Sequence, residues 1–305
     1  MKKIGIVILN YLNYSDTIEC VDSLKKQTNQ NFEIVIVDNY SKNESFKVLS
    51  ELYKKEKKIH VLKTETNLGY AKGNNAGIRF CKEKLGIFNV LIVNNDVIFY
   101  EEDYIDYFLK TPFDKNIGAI GTKIIGSDGK NQNPVYTPIT TKRVLKDAIY
   151  FTLEKWDILK FYTFLKTAFN KSILNNQEKS VAVEDEDEDE KKEGKYILHG
   201  SAIFLTDNYL NQMEGFYPKT FLYYEENILA IIMEKLDLKM IYTDNAEIYH
   251  KEDQSSALSF GNDSKIFRTY LVDSMWIAVK VKFSSIKRIK ETINREWDNR
   301  YGNNK

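Results

Sequence analysis

The chain has 305 residues, of which 43% are hydrophobic and 29% are charged, so it can bury a sizeable core and has an ordinary globular composition. The chain has 44 basic residues (Lys and Arg) and 44 acidic residues (Asp and Glu), so its formal net charge is zero. It therefore has no overall positive charge that would favour nucleic acid as a partner. The N-terminal apolar run is too short for a secretory signal, and no stretch approaches the roughly 18 apolar residues of a membrane-spanning helix. The two cysteines, Cys20 and Cys81, lack metal-ligand spacing. We expect a cytoplasmic protein, with peripheral contact at the inner membrane face left open.

Apolar runs of strand length alternate with segments of helical periodicity through the first 125 residues. This β-α-β-α-β order predicts an α/β fold in which a mainly parallel central sheet is flanked by helices. The predicted strands are 4–9, 32–37, 59–62 and 88–93, the predicted helices are 15–27, 44–55 and 76–84, and 67–75 is predicted as a polar loop.

The second half of the chain has a weaker pattern. Residues 126–195 are predicted as an insertion, in which the aromatic segment 144–168 is compatible with a helix and 184–190 is a run of seven acids, typical of a solvated loop. Beyond the insertion we predict strands at 196–205, 239–243 and 247–250, and helices opening near Asp207 and within 221–235. Apolar residues on one helical face after Phe267, beside several lysines, predict a C-terminal helical extension over 261–305.

Polar clusters follow three of the predicted strands at their carboxyl ends. These clusters are Asn10-Tyr11, Asp38-Asn39 and Asn94-Asn95-Asp96. In open α/β sheets, ligands bind beyond the carboxyl ends of the strands. One polar strand end would be an ordinary loop, but three on the same edge indicate a site.

These clusters, together with several later motifs, resemble family 2 glycosyltransferases of the GT-A (Rossmann-like) fold. The closest likeness is to the bacterial rhamnosyltransferase-like branch that builds O-antigen and capsular polysaccharides. The resemblance is dense over residues 3–125 and thin over 196–256, and the 67–77 segment is its most specific part. The motifs are IVILNY (6–11), VIVDNYS (35–41), NLGYAKGNNAG (67–77), NND (94–96), HGSA (199–202), YEE (224–226) and His250 with Ser255 or Ser256 downstream.

The resemblance implies that residues 1–125 bind a nucleotide diphosphate sugar. In that role Asp38 accepts hydrogen bonds from the base or the ribose, and glycines of the 67–77 segment let the chain approach the nucleotide closely. The implied nucleotide-sugar residues are Asn10, Tyr11, Asp38, Asn67, Gly69, Lys72, Gly73, Asn74, Asn94 and Asn95. Without the resemblance, Asp38 would serve equally well in a turn before the next helix.

The resemblance also implies a divalent metal, Mn²⁺ or Mg²⁺. Asp96 occupies the last position of the family's Asp-x-Asp motif, and a carboxylate at a strand end suits a hard cation whose other ligands come from the diphosphate. Asn94 and Asn95 replace carboxylates with neutral amides. His250 resembles the downstream histidine that completes the metal site in some relatives. A turn at 94–96 and a structural histidine at 250 are the alternatives.

Catalysis by direct displacement at the anomeric carbon requires a base for the acceptor hydroxyl. Glu226 stands where the family has the second acid of a pair that opens a helix, so the resemblance implies that Glu226 is the base. The alternative is a helix N-terminal acid pair favoured by the helix dipole. The family commonly has another acid two residues later, where this chain has Ile228.

Together these features imply an inverting glycosyltransferase that passes a sugar to a growing cell-surface glycan or a lipid-linked oligosaccharide. Deoxythymidine diphosphate rhamnose and uridine diphosphate hexoses both fit as donors, and the Asn-Asn-Asp form favours rhamnose. The GT-A domain would span 1–260, with the acceptor and catalytic part in 196–260. The basic amphipathic stretch after residue 261 either contacts an anionic membrane surface or packs on this domain.

Two other functions stay open. A non-catalytic subunit that binds nucleotide sugar or glycan would account for Ile228 and for the amides of 94–96. A nucleotidyltransferase would use a similar sheet and metal, but it should have a glycine-rich phosphate loop after the first strand, and residues 9–14 contain no glycine.

Overall fold

The structure is a computed structural model that describes residues 3–135, 140–156, 158, 197–252 and 264–301. The acidic run at 184–190, the part of the aromatic segment beyond residue 158, and Ser255 and Ser256 lie outside the described residues.

Eight strands form one mixed sheet in the order β3-β2-β1-β4-β7-β6-β8-β5. The first four strands of that order are parallel, while β7 runs antiparallel to both of its neighbours and β5 runs antiparallel to β8. The strands are β1 (Ile4–Asn10), β2 (Phe32–Asp38), β3 (Ile59–Lys63), β4 (Val90–Asn94), β5 (Val97–Ile98), β6 (Ile117–Ile125), β7 (Ala202–Leu205) and β8 (Lys239–His250). The predicted α/β fold class is confirmed, with antiparallel pairs confined to the second half of the sheet.

Helices cover both faces of this sheet, which is why the central strands read as continuous apolar runs. All seven residues of β2 are buried, and so are six of the seven in β1. The helices are α1 (Tyr14–Lys25), α2 (Ser45–Tyr53), α3 (Gly69–Leu85), α4 (Tyr104–Lys110), α5 (Thr141–Lys155), α6 (Asp207–Leu210), α7 (Glu225–Lys235), α8 (Ser264–Phe283) and α9 (Ile286–Tyr301).

The predicted loop over 67–75 is wrong for most of its length, because α3 begins at Gly69 rather than at residue 76. The glycines that suggested a loop serve helix packing instead. A Cβ at Gly73 would lie 2.6 Å from Leu9 Cδ1, and a Cβ at Gly77 would overlap the side chain of Val7. Because neither glycine has a Cβ atom, α3 can lie close against β1. The polar, glycine-rich sequence is therefore compatible with a buried helix face.

The two short strands predicted at 239–243 and 247–250 are one strand, β8, which is irregular where it pairs with β6. Its register shifts between Gly121 and Lys123 of β6, and the polar residues 243–245 fall at that irregularity. A local break in the pairing, rather than the end of a strand, explains the interrupted apolar pattern.

The C-terminal helices pack on the rest of the domain. Helix α8 lies against α5 and α7, and its apolar residues join the same core cluster as β7 and α7. The buried apolar residues of α8 and α9 are Val272, Met275, Ala278, Val281, Ile289 and Ile293, whereas Phe267 and Phe283 of α8 are exposed. Most of the apolar face on which a membrane contact through these helices was predicted is therefore covered by protein. None of the helices in the described ranges is long and apolar enough to cross a membrane.

Candidate active site

A cleft of about 530 Å³ opens beyond the carboxyl ends of β1 and β4. Six of the predicted site residues line it: Tyr11, Asn67, Gly69, Asn94, Asn95 and Glu226. The opposite wall comes from Val135, the segment before β7 and the segment before α7, and also includes Ile197, His199, Leu222, Tyr223 and Tyr224. The predicted residues that do not line the cleft are Asn10, Asp38, Lys72, Gly73, Asn74, Asp96 and His250.

Asn10 and Asp38 join the ends of β1 and β2 beneath the cleft. The Asn10 Nδ2 atom donates to Asp38 Oδ2 at 2.8 Å, and the Asn10 Oδ1 atom accepts from the Thr17 hydroxyl at 2.9 Å. The other Asp38 oxygen accepts from the Ser41 backbone N–H at 3.1 Å. Both side chains are completely buried. In this structure they therefore hold the floor of the cleft and do not project into it.

Asn39, which was noted beside Asp38 but not predicted to bind the nucleotide sugar, holds the segment before α3 in place. Its Nδ2 atom donates to Asn67 Oδ1 at 3.1 Å and to the Gly69 carbonyl at 3.2 Å, and its Oδ1 atom accepts from the Leu68 N–H at 2.9 Å. Asn39 also lines the cleft. Its position one residue after a strand end was the signal that could have identified it.

In this structure, Gly69 and Gly73 permit close contacts between α3 and other parts of the protein. Gly69 has a φ of +73°, and a Cβ there would overlap the backbone carbonyl of Phe221, to which the Tyr70 N–H donates at 2.8 Å. Gly73 faces Leu9, as described above. The first turn of α3 is thereby fixed against the segment that leads into α7.

Lys72 and Asn74 point away from the cleft. The Lys72 ammonium lies 3.5 Å from the Glu296 carboxylate of α9. The Asn74 Nδ2 atom donates to the Tyr70 carbonyl at 3.1 Å within α3, while its buried Oδ1 atom has no hydrogen-bond partner among the described residues. Neither side chain reaches the cleft in this conformation.

Asp96 and His250 face each other beside the cleft, next to the β5–β8 pairing. The His250 Nδ1 atom is 2.9 Å from Gln132 Oε1, an acceptor that favours hydrogen on Nδ1, and the Nε2 atom is directed at Asp96. That Nε2 atom lies 3.4 Å from Asp96 Oδ1, a buried oxygen without a hydrogen bond in the described structure. Two acceptors that face each other in this way suit a cation.

The metal that the resemblance implies therefore fits this pair chemically. A carboxylate and an imidazole suit Mn²⁺, and the diphosphate and water would supply the remaining ligands. In the part of the chain that the structure describes, no cluster of three or more His, Cys, Asp or Glu side chains is arranged to hold a metal. Binding would thus depend on the nucleotide as well as on the protein.

Gln132 connects His250 to a further acid. Its Nε2 atom donates to Glu252, whose other oxygen accepts from the Ser127 hydroxyl at 2.6 Å. The amide is thereby oriented with its oxygen towards His250. Sequence periodicity could not reveal this contact, since Gln132 and His250 are 118 positions apart.

His199, the first residue of the HGSA motif, lines the cleft, although no role was predicted for it. Its Nδ1 atom accepts from the Ser201 backbone N–H at 3.2 Å, and its ring centroid lies 5.6 Å from that of His250. Burial, followed by the nearby His250, lowers the pKa of His199 to about 4. His199 is therefore a neutral ring at physiological pH.

Glu225 and Glu226 open α7 after a strained turn. Tyr223 and Tyr224 both have a φ of +70°, a left-handed conformation that is unfavourable for residues other than glycine. Burial raises the pKa of both carboxyl groups, and the Glu226 charge raises that of Glu225 further. Both carboxyl groups line the cleft, which gives it a pair of acids with a raised affinity for protons.

The sequence profile of glycosyl transferase family 2 matches residues 5–175, more than half of the chain. This chain belongs to glycosyl transferase family 2. It is 30% identical over 95 residues to glycosyltransferase GlyG of Streptococcus pneumoniae serotype 4, covering 31% of each chain. It is 29% identical over 135 residues to the low-salt glycan biosynthesis hexosyltransferase Agl10 of Haloferax volcanii, covering 44% of this chain and 41% of that one. The matches span less than half the length of these curated relatives.

Solved structures of other proteins share the fold of this family 2 chain. The mannosyltransferase PcManGT from Pyrobaculum calidifontis, solved with GDP-Man and Mn²⁺, aligns with a TM-score of 0.55 at 13% identity over 97% of this chain and 69% of that one. S. aureus TarS 1–349, solved with UDP-GlcNAc, aligns with a TM-score of 0.56 at 14% identity over 99% and 74% of the two chains. The α/β fold is therefore GT-A-like, as the sequence predicted.

Gly200 of this family 2 chain leaves room for Glu226, and if Glu226 is the base that the resemblance implies, we expect Gly200→Ala to impair turnover selectively. A Cβ at Gly200 would overlap Glu226 Oε1, so the carboxylate must move away from its position in the cleft. A displacement of about 1 Å at a reacting group can lower the rate about 100-fold. Steady-state kinetics should show this fall in kcat with an unchanged dissociation constant for the sugar donor.

The control for Gly200→Ala is Gly86→Ala, at a position where a Cβ meets no atom within 4 Å but φ is +66°. That variant carries the strain of a left-handed alanine, about 1–2 kcal/mol, without touching the cleft. If Gly86→Ala slows turnover as much as Gly200→Ala does, a general loss of stability explains both results and the steric argument is wrong.

A second expected result concerns the effect of pH on the stability of this family 2 chain. The raised pKa of Glu225 means that the folded state keeps a proton over a pH range in which the unfolded chain has lost it. Stability therefore falls as pH rises from the ordinary glutamate pKa, about 4.3, through the higher folded value. Glutamine has no charge to bury, so Glu225→Gln should raise the urea midpoint at about pH 8 and leave it unchanged at about pH 4. Equal gains at both pH values would contradict this cause.

Proposed function

We propose that this chain is an inverting, metal-dependent glycosyltransferase that moves a sugar from a nucleotide diphosphate to an acceptor hydroxyl. The observation that carries the proposal is the position of Glu226, a carboxyl group of raised pKa in the wall of a cleft. The cleft lies at the carboxyl ends of parallel strands, where α/β sheets bind ligands. Asn94 and Asn95 line it directly beside the buried Asp96–His250 pair.

The proposed donor side of the cleft is formed by Tyr11 and the amides of Asn39, Asn67, Asn94 and Asn95. An aromatic ring and several amides suit a nucleobase and a ribose, which offer a flat face and hydrogen-bonding edges. Fold neighbours solved with GDP-Man and with UDP-GlcNAc support a nucleotide diphosphate sugar as the donor. Deoxythymidine diphosphate rhamnose and uridine diphosphate hexoses are the donors that we propose, with rhamnose favoured by the Asn-Asn-Asp form.

Asp96 and His250 are the residues that would hold Mn²⁺ or Mg²⁺, as the unpartnered Asp96 oxygen suggests. A divalent ion held by these residues would stabilise the negative charge of the leaving diphosphate. Asn10 and Asp38 support the donor side from below through the buried hydrogen bonds between β1 and β2. We propose supporting roles of this kind for Gly73 and Asn74 as well, because both lie in the part of α3 that packs beneath the cleft.

Glu226 is proposed to accept the proton of the acceptor hydroxyl as that oxygen bonds to the anomeric carbon and the bond to the diphosphate breaks. The displacement inverts the anomeric configuration, and the proton ends on the Glu226 carboxylate. A raised pKa makes the carboxylate a stronger base than an exposed glutamate, which assists the transfer. The Tyr70 hydroxyl donates to the Gly200 carbonyl at 2.6 Å and so holds the backbone opposite this carboxylate.

The acceptor is proposed to be a growing cell-surface glycan or a lipid-linked oligosaccharide. The wall opposite the donor side carries the rings of Tyr223 and Tyr224 with Val135, Ile197 and Leu222. Ligand sites of this kind combine apolar and aromatic walls with a few polar groups that set orientation. Such a wall suits the flat, apolar faces of sugar rings.

The test is a panel of nucleotide sugars, measured by calorimetry with Mn²⁺, with Mg²⁺ and with a chelator. We expect one class of nucleotide sugar to bind with a metal and to bind much more weakly with the chelator. Slow release of free sugar should accompany binding, because water can replace the acceptor. If no nucleotide sugar binds under any of these conditions, the transferase proposal is wrong and a role as an accessory subunit becomes the better account.

A further inference from the structure

The outer face of α5 is apolar and exposed, although this helix contributes little to the core. With about 100° between successive residues, positions 142, 145, 146, 149, 150 and 153 fall on one face. The large apolar side chains that are exposed on this surface range from 37% exposed for Leu145 to 67% for Trp156, which directly follows the helix, whereas Leu153 is half-buried. The members of this surface, called the α5 face below, are Lys142, Leu145, Lys146, Ile149, Tyr150, Leu153 and Trp156.

The charges on and around the α5 face are separated by sign. The only side chains of this face that are charged at neutral pH are its two lysines, and none of its seven residues is Asp or Glu. The two acids of α5 lie to one side of the face and are paired. Asp147 accepts from Arg143 at 3.1 Å, and Glu154 lies 3.9 Å from Arg268 of α8. Among the described residues of α5, the charged members of the face itself are therefore lysines only.

Helix α5 packs on the rest of the domain through its opposite side, so the α5 face is not the side that contributes to the core. Val144 and Ala148 are buried, and the Thr152 hydroxyl accepts from the Trp276 indole N–H of α8 at 2.9 Å. Exposed aliphatic, tyrosine and tryptophan side chains interleaved with lysine are characteristic of helices that lie on a bilayer. Tryptophan and tyrosine favour the interfacial layer, and lysine reaches anionic headgroups while its methylene chain stays in apolar surroundings.

We propose that the α5 face docks this protein on the surface of an anionic lipid bilayer. The helix lies in the plane of the interface, with Leu145, Ile149 and Trp156 inserted among the acyl chains. Lys142 and Lys146 contact the headgroups. In this proposal the membrane contact is made by the insertion helix and not by the C-terminal helices, most of whose apolar residues are buried in the core.

Helix α5 lies beside one wall of the cleft, which it approaches through the side that carries Asp147 and not through the α5 face. The Tyr223 ring, which lines the cleft, lies 4.6 Å from the Phe267 ring of α8, and Phe267 is itself 41% exposed. The neighbouring cleft residue Tyr224 has its pKa raised to about 12 by burial and then by the charge of Asp147 on α5. Docking through α5 thus brings one wall of the cleft near the bilayer, where a lipid-linked substrate would be presented. The docking itself does not depend on the proposed transfer chemistry.

The experiment is sedimentation of the full chain with vesicles of phosphatidylcholine alone and with vesicles that also contain phosphatidylglycerol, at low salt. We expect binding to the anionic vesicles only, and a blue shift of tryptophan emission that is absent in Trp156→Phe. Each lysine is attracted electrostatically to an anionic lipid surface. Replacing both Lys142 and Lys146 by Gln should therefore weaken binding to the anionic vesicles about 30-fold. Ile149→Glu should abolish it.

The matched control is Leu52→Glu, which places the same charge on an exposed leucine of α2 and should bind vesicles as the wild type does. Unchanged circular dichroism and nucleotide-sugar binding show that each variant is folded. The proposal is overturned if the wild type stays in the supernatant with anionic vesicles, or if Ile149→Glu and Leu52→Glu bind equally. It is also overturned if Ile149→Glu instead converts a self-associated wild type to a monomer, since the face is then a protein interface.

Discussion

Glu226→Gln is expected to lower the rate of sugar transfer by about 10²–10⁴-fold, the usual contribution of a general base. Glutamine keeps the size of the side chain but cannot accept the proton, so binding of the nucleotide sugar should remain. Because burial raises the pKa of Glu226, activity of the wild type should fall on the acid side at a higher pH than for an exposed glutamate. The base form is lost as pH falls through that raised value.

The control for this variant is Glu234→Gln on the same helix. Glu234 is exposed and pairs with Lys282, and a surface ion pair of this kind contributes only about 0–1 kcal/mol. Transfer and nucleotide-sugar binding by each variant can be compared by stopped assays and calorimetry. A Glu226→Gln variant that retains turnover within a few fold of the control would remove Glu226 from the reaction.

Asp96→Asn is expected to abolish the metal dependence of nucleotide-sugar binding. Asp96 supplies the only carboxylate of the 94–96 motif, since its two neighbours are amides. Its substitution leaves a neutral oxygen opposite His250 and so removes the charge that would attract a divalent cation. Titration of Mn²⁺ followed by electron paramagnetic resonance should show a loss of affinity of more than about 100-fold, beyond the range seen when an outer partner is removed. Asp244→Asn, an exposed acid of β8, should behave as the wild type.

Gln132→Leu should weaken Mn²⁺ binding less, by about 10–100-fold, because Gln132 acts through His250. The amide oxygen selects the ring form with hydrogen on Nδ1 and leaves Nε2 free to bind. Nitrogen-15 spectra of the imidazole should show a smaller fraction of that form in the variant before any metal is added. Unchanged spectra together with weakened binding would assign Gln132 a purely structural role.

The parallel half of the sheet could be predicted from the sequence because strands buried on both faces leave continuous apolar runs. The start of α3 could not, because the residues 69–75 combine glycine and asparagine for reasons of packing. Gly73 allows contact with Leu9, and Asn75 exchanges hydrogen bonds with the Phe216 backbone. Both causes join segments distant in the chain, and neither produces a helical period.

The candidate site was predicted where its residues follow strands and missed where tertiary contacts create it. Tyr11, Asn94 and Asn95 line the cleft because the ends of parallel strands meet at one edge. His199 becomes a cleft residue only when the segment before β7 packs against β4. Similarly, the apolar stripe of α8 was compatible with a membrane or with a protein core, and only its packing on α5 and α7 distinguishes them.

Glu226 and the cleft are proposed to perform a direct displacement at the anomeric carbon. Proton NMR of the sugar first released from the nucleotide donor, recorded before its anomers equilibrate, distinguishes this reaction from one that retains configuration. We expect a product of inverted anomeric configuration from the wild type and no such product from Glu226→Gln. A product of retained configuration, or equal release by the variant, would rule out a direct displacement that uses Glu226.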